Sequence, residues 1–202
     1  MRSALILTGL LLPSALAAQG SATFYASLGA TWSSKLVEDV IVSDIITTQP
    51  AIAPTIMVGG ATEVFPRYDV DLELQFTTGS YSADTKGKGS TDLGTLRTFS
   101  ATIGFDGPLF RQPFRWRASV GVLKYLPSED TGMFLQGGPL DFLLGLGAQY
   151  RRPVSSSLDI SVALRYDFHR FTTDELQRQG FSQVQQVHRV GLTVGIAMGG
   201  RR

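Results

Sequence analysis

Residues 158–169 read LDISVALRYDFH, and in this stretch bulky apolar residues alternate with small, polar or charged ones. Every even position is apolar or aromatic, while the odd positions are Asp, Ser, Ala, Arg, Asp and His in turn. A period of two places all the apolar side chains on one face of an extended strand. The stretch therefore predicts a β-strand with one apolar face and one small or polar face.

The same alternation recurs along the chain. It returns at 24–33, 69–76, 98–105, 114–122, 141–150 and 189–198. The pattern is weaker at 55–64, and we assign a strand there partly because an even number of strands is needed for an up-and-down arrangement. Helical spacing fits none of these segments.

Long and short connections alternate between the segments. The long connections cover 34–54, 79–94, 127–139 and 170–186. The short ones, 65–67, 107–113 and 152–156, each contain a proline, which suits a turn and cannot continue a central strand. The order predicts an all-β, eight-stranded antiparallel up-and-down barrel with both termini at the end of the short turns.

Two kinds of barrel fit this pattern, a soluble periplasmic lipocalin-like binding barrel and a transmembrane β-barrel whose apolar face meets lipid. Gly, Ala, Ser and Thr dominate the second face, as the narrow lumen of eight strands requires. About 10 residues tilted by roughly 45° span about 23 Å, which matches the outer-membrane apolar band. Aromatic residues also gather near both strand ends, as at membrane interfaces. The expected membrane-interface aromatics are Phe24, Trp32, Tyr68, Phe76, Phe99, Phe105, Phe114, Trp116, Tyr150 and Phe168.

The start of the chain predicts a secretory signal peptide. Met1-Arg2-Ser3 is positively charged, residues 4–12 are largely apolar, and Ala15-Leu16-Ala17 has the small–x–small pattern of a cleavage site. The apolar run is about half the roughly 20 residues that a spanning helix needs. We therefore expect a signal peptide at 1–17, a barrel domain at 18–202 and export to the bacterial outer membrane.

With this pattern the chain resembles the eight-stranded outer-membrane β-barrel family of the OmpA-transmembrane-domain and OmpX type. Its last segment is similar to the family's assembly signal: a polar residue, any residue, Gly, two more, then apolar–x–apolar. The matching positions are Arg189, Gly191, Val194 and Ile196. The resemblance implies that outer-membrane lipid and lipopolysaccharide are partners, and that the outer-membrane insertion machinery is a partner during assembly.

If the apolar face meets lipid, the charged residues of the strands point into the lumen. The expected charge network comprises Asp71, Glu73, Arg115, Arg117, Asp159, Arg165, Asp167, His169 and Arg189. We hypothesise that Asp71 and Glu73 pair with Arg117 and Arg165 and close the lumen to solutes. The alternative is a gated pore in which an arginine changes carboxylate partners.

Composition excludes several functions. The net charge of +1 argues against nucleic acid as a partner, and the absence of Cys excludes thiolate metal sites. With two histidines a three-histidine zinc site is impossible, and we expect no metal or cofactor. Lipid A deacylases of this barrel type carry a serine two residues after the catalytic histidine, but Phe171 stands two residues after His169. His169 is expected instead to bond a neighbouring charge.

We therefore predict a non-catalytic integral outer-membrane protein with a structural role in the envelope or a surface-loop interaction role. The alternatives are a narrow channel or carrier for a small molecule, a lipid A-modifying enzyme and the soluble barrel. The first long connection carries Val40-Ile41-Val42 and Ile45-Ile46, which are expected to extend the first hairpin above the membrane.

Overall fold

The computed structural model describes residues 22–41, 44–110, 113–130, 132–178 and 184–199. The strands within these ranges are β1 (Ala22–Ser33), β2 (Val37–Ile41), β3 (Asp44–Pro50), β4 (Ala53–Phe65), β5 (Tyr68–Thr85), β6 (Gly89–Pro108), β7 (Phe114–Pro127), β8 (Leu140–Pro153), β9 (Leu158–Phe171) and β10 (Gln185–Gly199). A 3₁₀ helix (Gly132–Phe134) and a short helix α1 (Asp174–Arg178) lie in the connections. The predicted signal peptide lies outside the described residues.

Eight of these strands form a closed antiparallel ring in the order β1-β4-β5-β6-β7-β8-β9-β10. Closure is made by β1 against β10, from Thr23 opposite Gly199 to Ser33 opposite Arg189. The weak segment at 55–64 is the strand β4, which pairs with β1 and β5. The start of β1 lies opposite the end of β10. Both therefore lie at the same end of the barrel, the end that carries the short turns. The predicted eight-stranded up-and-down barrel is confirmed.

The outer wall of the ring is apolar. Leu28, Leu146 and Val194 are highly exposed, with 64%, 60% and 60% of their surface areas accessible. They belong to a continuous belt of large exposed hydrophobic side chains that includes Ile56, Leu72, Ile103, Val120, Leu144, Val162, Leu164 and Leu192. An exposed apolar surface of this extent marks contact with a nonpolar medium, so the belt excludes the soluble barrel. Among the described helices, none is long and apolar enough to cross a membrane.

The first long connection folds into a β-hairpin, as predicted. Strand β2 pairs with β3, and β3 continues the wall by pairing with the far part of β5, from Pro50 opposite Tyr81 to Ile46 opposite Thr85. The prediction of a loop at 79–94 is wrong, because β5 and β6 remain paired almost to Gly87, where Thr85 faces Gly89. Within this stretch Gly87, Gly89 and Gly94 have positive φ, and a side chain at any of the three would strain the backbone. Apart from Tyr81 and Leu93, the remaining residues of that stretch are small, polar or charged, so it lacks the apolar alternation of the membrane-spanning segments.

The two other long connections fold inward over the same end. The 3₁₀ helix directs Phe134 toward the barrel axis, and α1 directs Leu176 there. Thr173 stands at the N-terminus of α1 and accepts the backbone N–H of Leu176 through its hydroxyl at 3.2 Å, a helix cap. Asp174 in the first turn and Arg178 in the last complement the helix dipole. These contacts give a five-residue helix a fixed position above the barrel.

The apolar belt makes a direct prediction. Leu28→Arg places a cation on the lipid-facing wall near the middle of β1, and we expect it to lower the free energy of unfolding by about 2–4 kcal/mol. Leu135→Arg is the matched control, because Leu135 is similarly exposed (56%) in the connection after the 3₁₀ helix, away from the belt. Urea unfolding in phospholipid vesicles measures both. Equal losses for the two variants would contradict a lipid-facing wall.

Candidate functional site: the charged lumen

The inner face of the barrel carries a buried ion-pair cluster centred on Arg117. Its Nη2 and Nε contact both oxygens of Asp71, at 2.5 Å to Oδ1 and 2.9 Å to Oδ2, so the pair is bidentate. Arg117 Nη1 also lies 3.4 Å from Glu73 Oε1, and Nη2 donates to the Thr102 hydroxyl at 3.0 Å. Arg117, Asp71 and Glu73 are each at least 94% buried. A fork-shaped guanidinium is well suited to holding two carboxylates in such a narrow space.

Glu73 links this pair to the opposite wall. Its Oε2 accepts from Arg165 Nη2 at 2.8 Å and from the Tyr25 hydroxyl at 3.0 Å. Asp71 and Glu73 therefore pair with Arg117 and Arg165, which are the partners that the sequence predicts. The chain of contacts joins β5, β7, β9 and β1 across the lumen, so it ties together strands that are not neighbours in the ring.

Two glycines make room for this cluster. A side chain at Gly59 would place its Cβ 2.4 Å from the Tyr25 ring, and one at Gly104 would come 2.5 Å from Arg117 Nε. Both distances are far below van der Waals contact. The small residues of the inner face are thus the spaces into which Tyr25 and Arg117 fit.

A second ion-pair group lies at the mouth of the lumen, beside the short turns. Arg115 Nε donates to Asp106 Oδ2 at 2.6 Å, and Arg115 Nη2 donates to Asp69 Oδ2 at 2.9 Å and to the Arg67 carbonyl at 3.2 Å. The Arg115 and Asp69 side chains are 19% and 18% exposed, so water reaches this group and weakens its pairing. The Arg115 group lies over the side of the buried cluster that faces the short turns, and its ion pairs are weaker than those of the cluster.

Beyond the buried cluster the inner face becomes a layer of hydroxyls around Arg189. Arg189 Nη2 donates to Thr98 at 3.1 Å and to Thr77 at 3.4 Å, and the two threonine hydroxyls share a 2.5 Å hydrogen bond. Arg189 is 97% buried. The expectation that Arg189 joins the ion-pair network is wrong. Its side chain donates to hydroxyl groups, and no carboxylate of a described residue lies within ion-pair distance of it. Asp167 faces it across β9 and β10 but keeps a greater distance.

His169 occupies a different environment from the one expected. Its Nε2 lies 2.7 Å from the Tyr125 hydroxyl, a neutral partner instead of a neighbouring charge, and the residue is 99% buried. The two rings lie 5.7 Å apart between centroids. Tyr125 therefore completes the transition from the polar middle of the lumen to its apolar end.

The long-loop end of the lumen is filled by an apolar plug. Its members are all buried: Leu36, Val37, Tyr81, Leu96, Leu123, Tyr125, Phe134, Leu143, Phe171, Leu176 and Val187. Phe134 lies at its centre, with ring centroids 5.9 Å from Tyr81 and 6.0 Å from Phe171. Small and polar residues dominate the inner face of the predicted strand segments, but at this end large apolar residues line it. Loops that fold over the barrel provide apolar partners there, so large inward side chains are stabilised by burial.

The remaining predicted residues lie where their strands place them. Asp159 is half-buried on β9 opposite Ala197, near the short turns. Six of the predicted interface aromatics are more than a third exposed, namely Phe24, Trp32, Phe76, Phe99, Phe114 and Tyr150. The other four, Tyr68, Phe105, Trp116 and Phe168, are partly covered by ring neighbours such as the Tyr68–Phe105 stack at 5.6 Å. On β10, Val194 and Ile196 face outward while Arg189 and Gly191 face the lumen.

Several residues of the site were missed by the sequence reasoning. Asp106 and Tyr125 share the inward phase of their strands but follow the points at which the predicted segments end. Extending the alternation by one residue past 105 and by three residues past 122 identifies both. Phe134 carries no such signal, because its inward direction depends on the fold of a loop.

Comparison with solved structures places this geometry among known proteins. Neisserial surface protein A shares 12% identity with a TM-score of 0.57, covering 89% of this chain and 97% of that one. OprG from Pseudomonas aeruginosa shares 11% identity with a TM-score of 0.55, covering 91% and 97%. The outer-membrane protein AlkL shares 12% identity with a TM-score of 0.55, covering 91% and 92%. The chain has the fold of an eight-stranded outer-membrane β-barrel. No family model and no curated protein matches its sequence significantly.

The outer-membrane barrel fold indicates which end of the lumen faces the periplasm and which faces outside. In bacterial outer-membrane barrels short turns face the periplasm and longer loops face outside. The Arg115 group then lies at the periplasmic mouth, the Arg117 cluster lies inside the membrane, and the apolar plug closes the extracellular end. The β2–β3 hairpin and the far parts of β5 and β6 stand above the membrane. The lumen of this barrel therefore holds ion pairs from the periplasmic mouth to the middle of the membrane, and apolar side chains at its extracellular end.

Removing the central cation tests the buried cluster. In Arg117→Met the carboxylates of Asp71 and Glu73 lose their shared partner inside the barrel, and we expect a loss of about 3–5 kcal/mol in the free energy of unfolding. The same change at Arg115, where water reaches Arg115 and Asp69, is the control and is expected to cost less. Urea titration of both folded variants in vesicles gives the comparison. A loss at Arg117 no larger than that at Arg115 would show that the cluster does not stabilise the barrel.

Proposed function

We propose that this protein is a closed, non-conducting outer-membrane barrel that supports the envelope and presents its extracellular β-structure to the surroundings. The observation that carries the proposal is the occupied lumen, in which the Arg117 cluster is followed by the apolar plug. A solute would have to separate buried ion pairs and then displace a packed aromatic group. Both steps are costly, so the geometry favours a structural lumen over a pore.

A non-catalytic role is supported by the surroundings of His169. Its Nε2 is occupied by the Tyr125 hydroxyl, and the residue has 1% of its area exposed. Phe171, two residues further on, is part of the apolar plug and offers no nucleophile. The second histidine, His188, lies on the outer wall, where its Nδ1 is 2.6 Å from the Tyr166 hydroxyl. General base catalysis needs a base within reach of a substrate and a nucleophile, and neither histidine has that arrangement.

The extracellular part is a rigid β-structure. Beyond the membrane β5 and β6 stay paired up to the turn at 86–88, and β3 adds to β5 on the other side. Strand β2 is the last strand of this sheet, so its outer edge has backbone groups free to pair. Such an edge can accept a strand from a partner, which supports an interaction role for the surface.

Lipopolysaccharide is the proposed envelope partner at the rim. Arg97 on β6 and Arg170 on β9 are exposed on the outer wall, just on the extracellular side of the belt. Guanidinium groups bind phosphate through paired hydrogen bonds. Arg152 is the equivalent exposed outward arginine on the periplasmic side, near the end of β8. The two rims thus allow one kind of side chain to be compared on both faces of the membrane.

Planar bilayer recording tests the closed lumen. We expect the purified protein to give no steady conductance, because the ion pairs and the apolar plug leave no continuous water path. A large-pore barrel inserted into the same membrane checks that insertion is detected, and heat-modifiable gel migration checks that the protein is folded. Stable, reproducible conductance steps from the folded protein would overturn the proposal.

The lipopolysaccharide contact is tested by thermal unfolding in two kinds of vesicle. The variant Arg97→Gln with Arg170→Gln is expected to lose most of the stabilisation that lipopolysaccharide gives relative to phospholipid alone. Arg152→Gln, on the opposite face, is expected to keep it. A loss of the same size in both variants would assign the effect to general charge and not to the extracellular rim.

A further inference from the structure

Arg189 differs from the other lumen arginines. Arg115, Arg117 and Arg165 each contact a carboxylate at 2.5–2.8 Å. Arg189 is as deeply buried as Arg117, yet within the ranges that the structure describes it forms no ion pair closer than 4 Å. A buried cation without a counter-ion is costly, and an anion beside it would offset much of that cost.

The two amino groups of the Arg189 guanidinium differ in their partners. Nη2 donates to Thr77 and Thr98, whereas Nη1, which is fully buried, has no hydrogen-bond partner among the described residues. The guanidinium borders a cavity of about 30 Å³ that Thr31, Ser33 and Tyr125 also line. This volume is enough for about two waters or one small ion. The side chain that carries this unpartnered donor therefore lines a space large enough for a small ligand.

The threonines add a further donor to this space. Thr77 and Thr98 share one hydrogen bond, which uses one of their two hydroxyl hydrogens, and both oxygens accept from Arg189. The second hydroxyl hydrogen remains available for another acceptor. A charged N–H donor and a neighbouring hydroxyl form a suitable pair of donors for one anionic atom.

The cavity lies next to the outer wall. The pairing of β1 with β4 ends with Thr31 opposite Ala53, and the wall is then continued by β3, which begins to pair with β5 at Pro50. The connection between β3 and β4 lines the cavity, and Ala51 within it is exposed. The cavity therefore lies between this part of the wall and the apolar plug, of which Leu96 and Tyr125 also line it.

The charged and titratable groups around Arg189 are few. Asp167 faces it across β9 and β10, and His169 and Tyr125 lie on the side of the plug. Asp167 is the natural competitor for an anion, since a change of its side-chain rotamer would bring a carboxylate toward the guanidinium. In the structure described here it forms no ion pair with the guanidinium.

We propose that the Arg189 cavity binds a small monovalent anion, either a halide or the carboxylate end of a small solute. The small size of the space favours a small anion over sulfate or phosphate, and a single cation matches a single negative charge. The proposed site does not require a conducting lumen, so it is independent of whether the barrel is closed.

Halide titration of the purified, folded protein in detergent tests the site. Thermal unfolding is followed as sodium bromide or sodium formate replaces sodium gluconate at constant ionic strength, with sodium sulfate as the control for large anions. We expect saturable stabilisation by bromide, by formate or by both, and none by sulfate. If both bind, each should compete with the other, and if one binds, it identifies the source of the anion. Stabilisation by neither would overturn the proposal.

Matched variants assign the effect to Arg189. Arg189→Gln keeps a polar side chain but removes the charge, and we expect the apparent affinity to fall by about tenfold or more. Arg152→Gln, far from the cavity, should leave it unchanged. Asp167→Asn removes the competing carboxylate and should increase the affinity. Unchanged binding in Arg189→Gln would place the anion elsewhere and overturn the assignment.

Two measurements keep the proposal testable if Arg189→Gln does not fold. Thr98→Val removes the hydroxyl donor while keeping the size of the side chain, and it should weaken binding with the barrel intact. Crystals of the unaltered protein soaked in bromide should show an anomalous peak beside Arg189 Nη1. Water alone at this position under saturating bromide would contradict the site.

Discussion

Every feature of this protein depends on the requirement that backbone N–H and C=O groups be paired inside a lipid layer. An open sheet would leave one row of these groups on β1 and another on β10 without partners. The register from Thr23–Gly199 to Ser33–Arg189 removes both rows at once. Ring closure is therefore the interaction on which the rest of the structure depends, and it also fixes how many side chains the inside can hold.

Closure with eight strands makes the lumen narrow, and narrowness explains the pairing of large and small residues across it. Tyr25 faces the space at Gly59, and Arg117 faces the space at Gly104. Ionised groups are held in the same narrow space, so each carboxylate of the central cluster meets a guanidinium at hydrogen-bond distance. The outer wall faces lipid and therefore carries aliphatic side chains. A period of two in the sequence places small or polar side chains inside and apolar side chains outside on the same strand.

This period is the reason that the barrel, its outward face and the Asp71–Arg117 and Glu73–Arg165 pairs could be predicted from the sequence. The alternation shows which side chains point into the lumen. Because the lumen is narrow, each inward charge has few opposite charges within reach. The apolar plug could not be predicted, because Phe134 and Leu176 acquire their inward direction from loops that have no periodic signal. The pairing of β5 and β6 beyond the membrane was missed for a related reason. Polar residues on both faces look like a loop when lipid is not there to require an apolar face.

Arg189 shows where charge matching inside the barrel stops. Its neighbours along the barrel axis are the ion-pair cluster on one side and the plug on the other, so it lies at the boundary between two ways of filling the lumen. Asp167 stands opposite in register, yet the guanidinium turns to Thr77 and Thr98. A charge that served only to hold the barrel together would be expected to use that carboxylate. A buried cation that donates to hydroxyls and lines a cavity is the arrangement on which the proposed anion site rests.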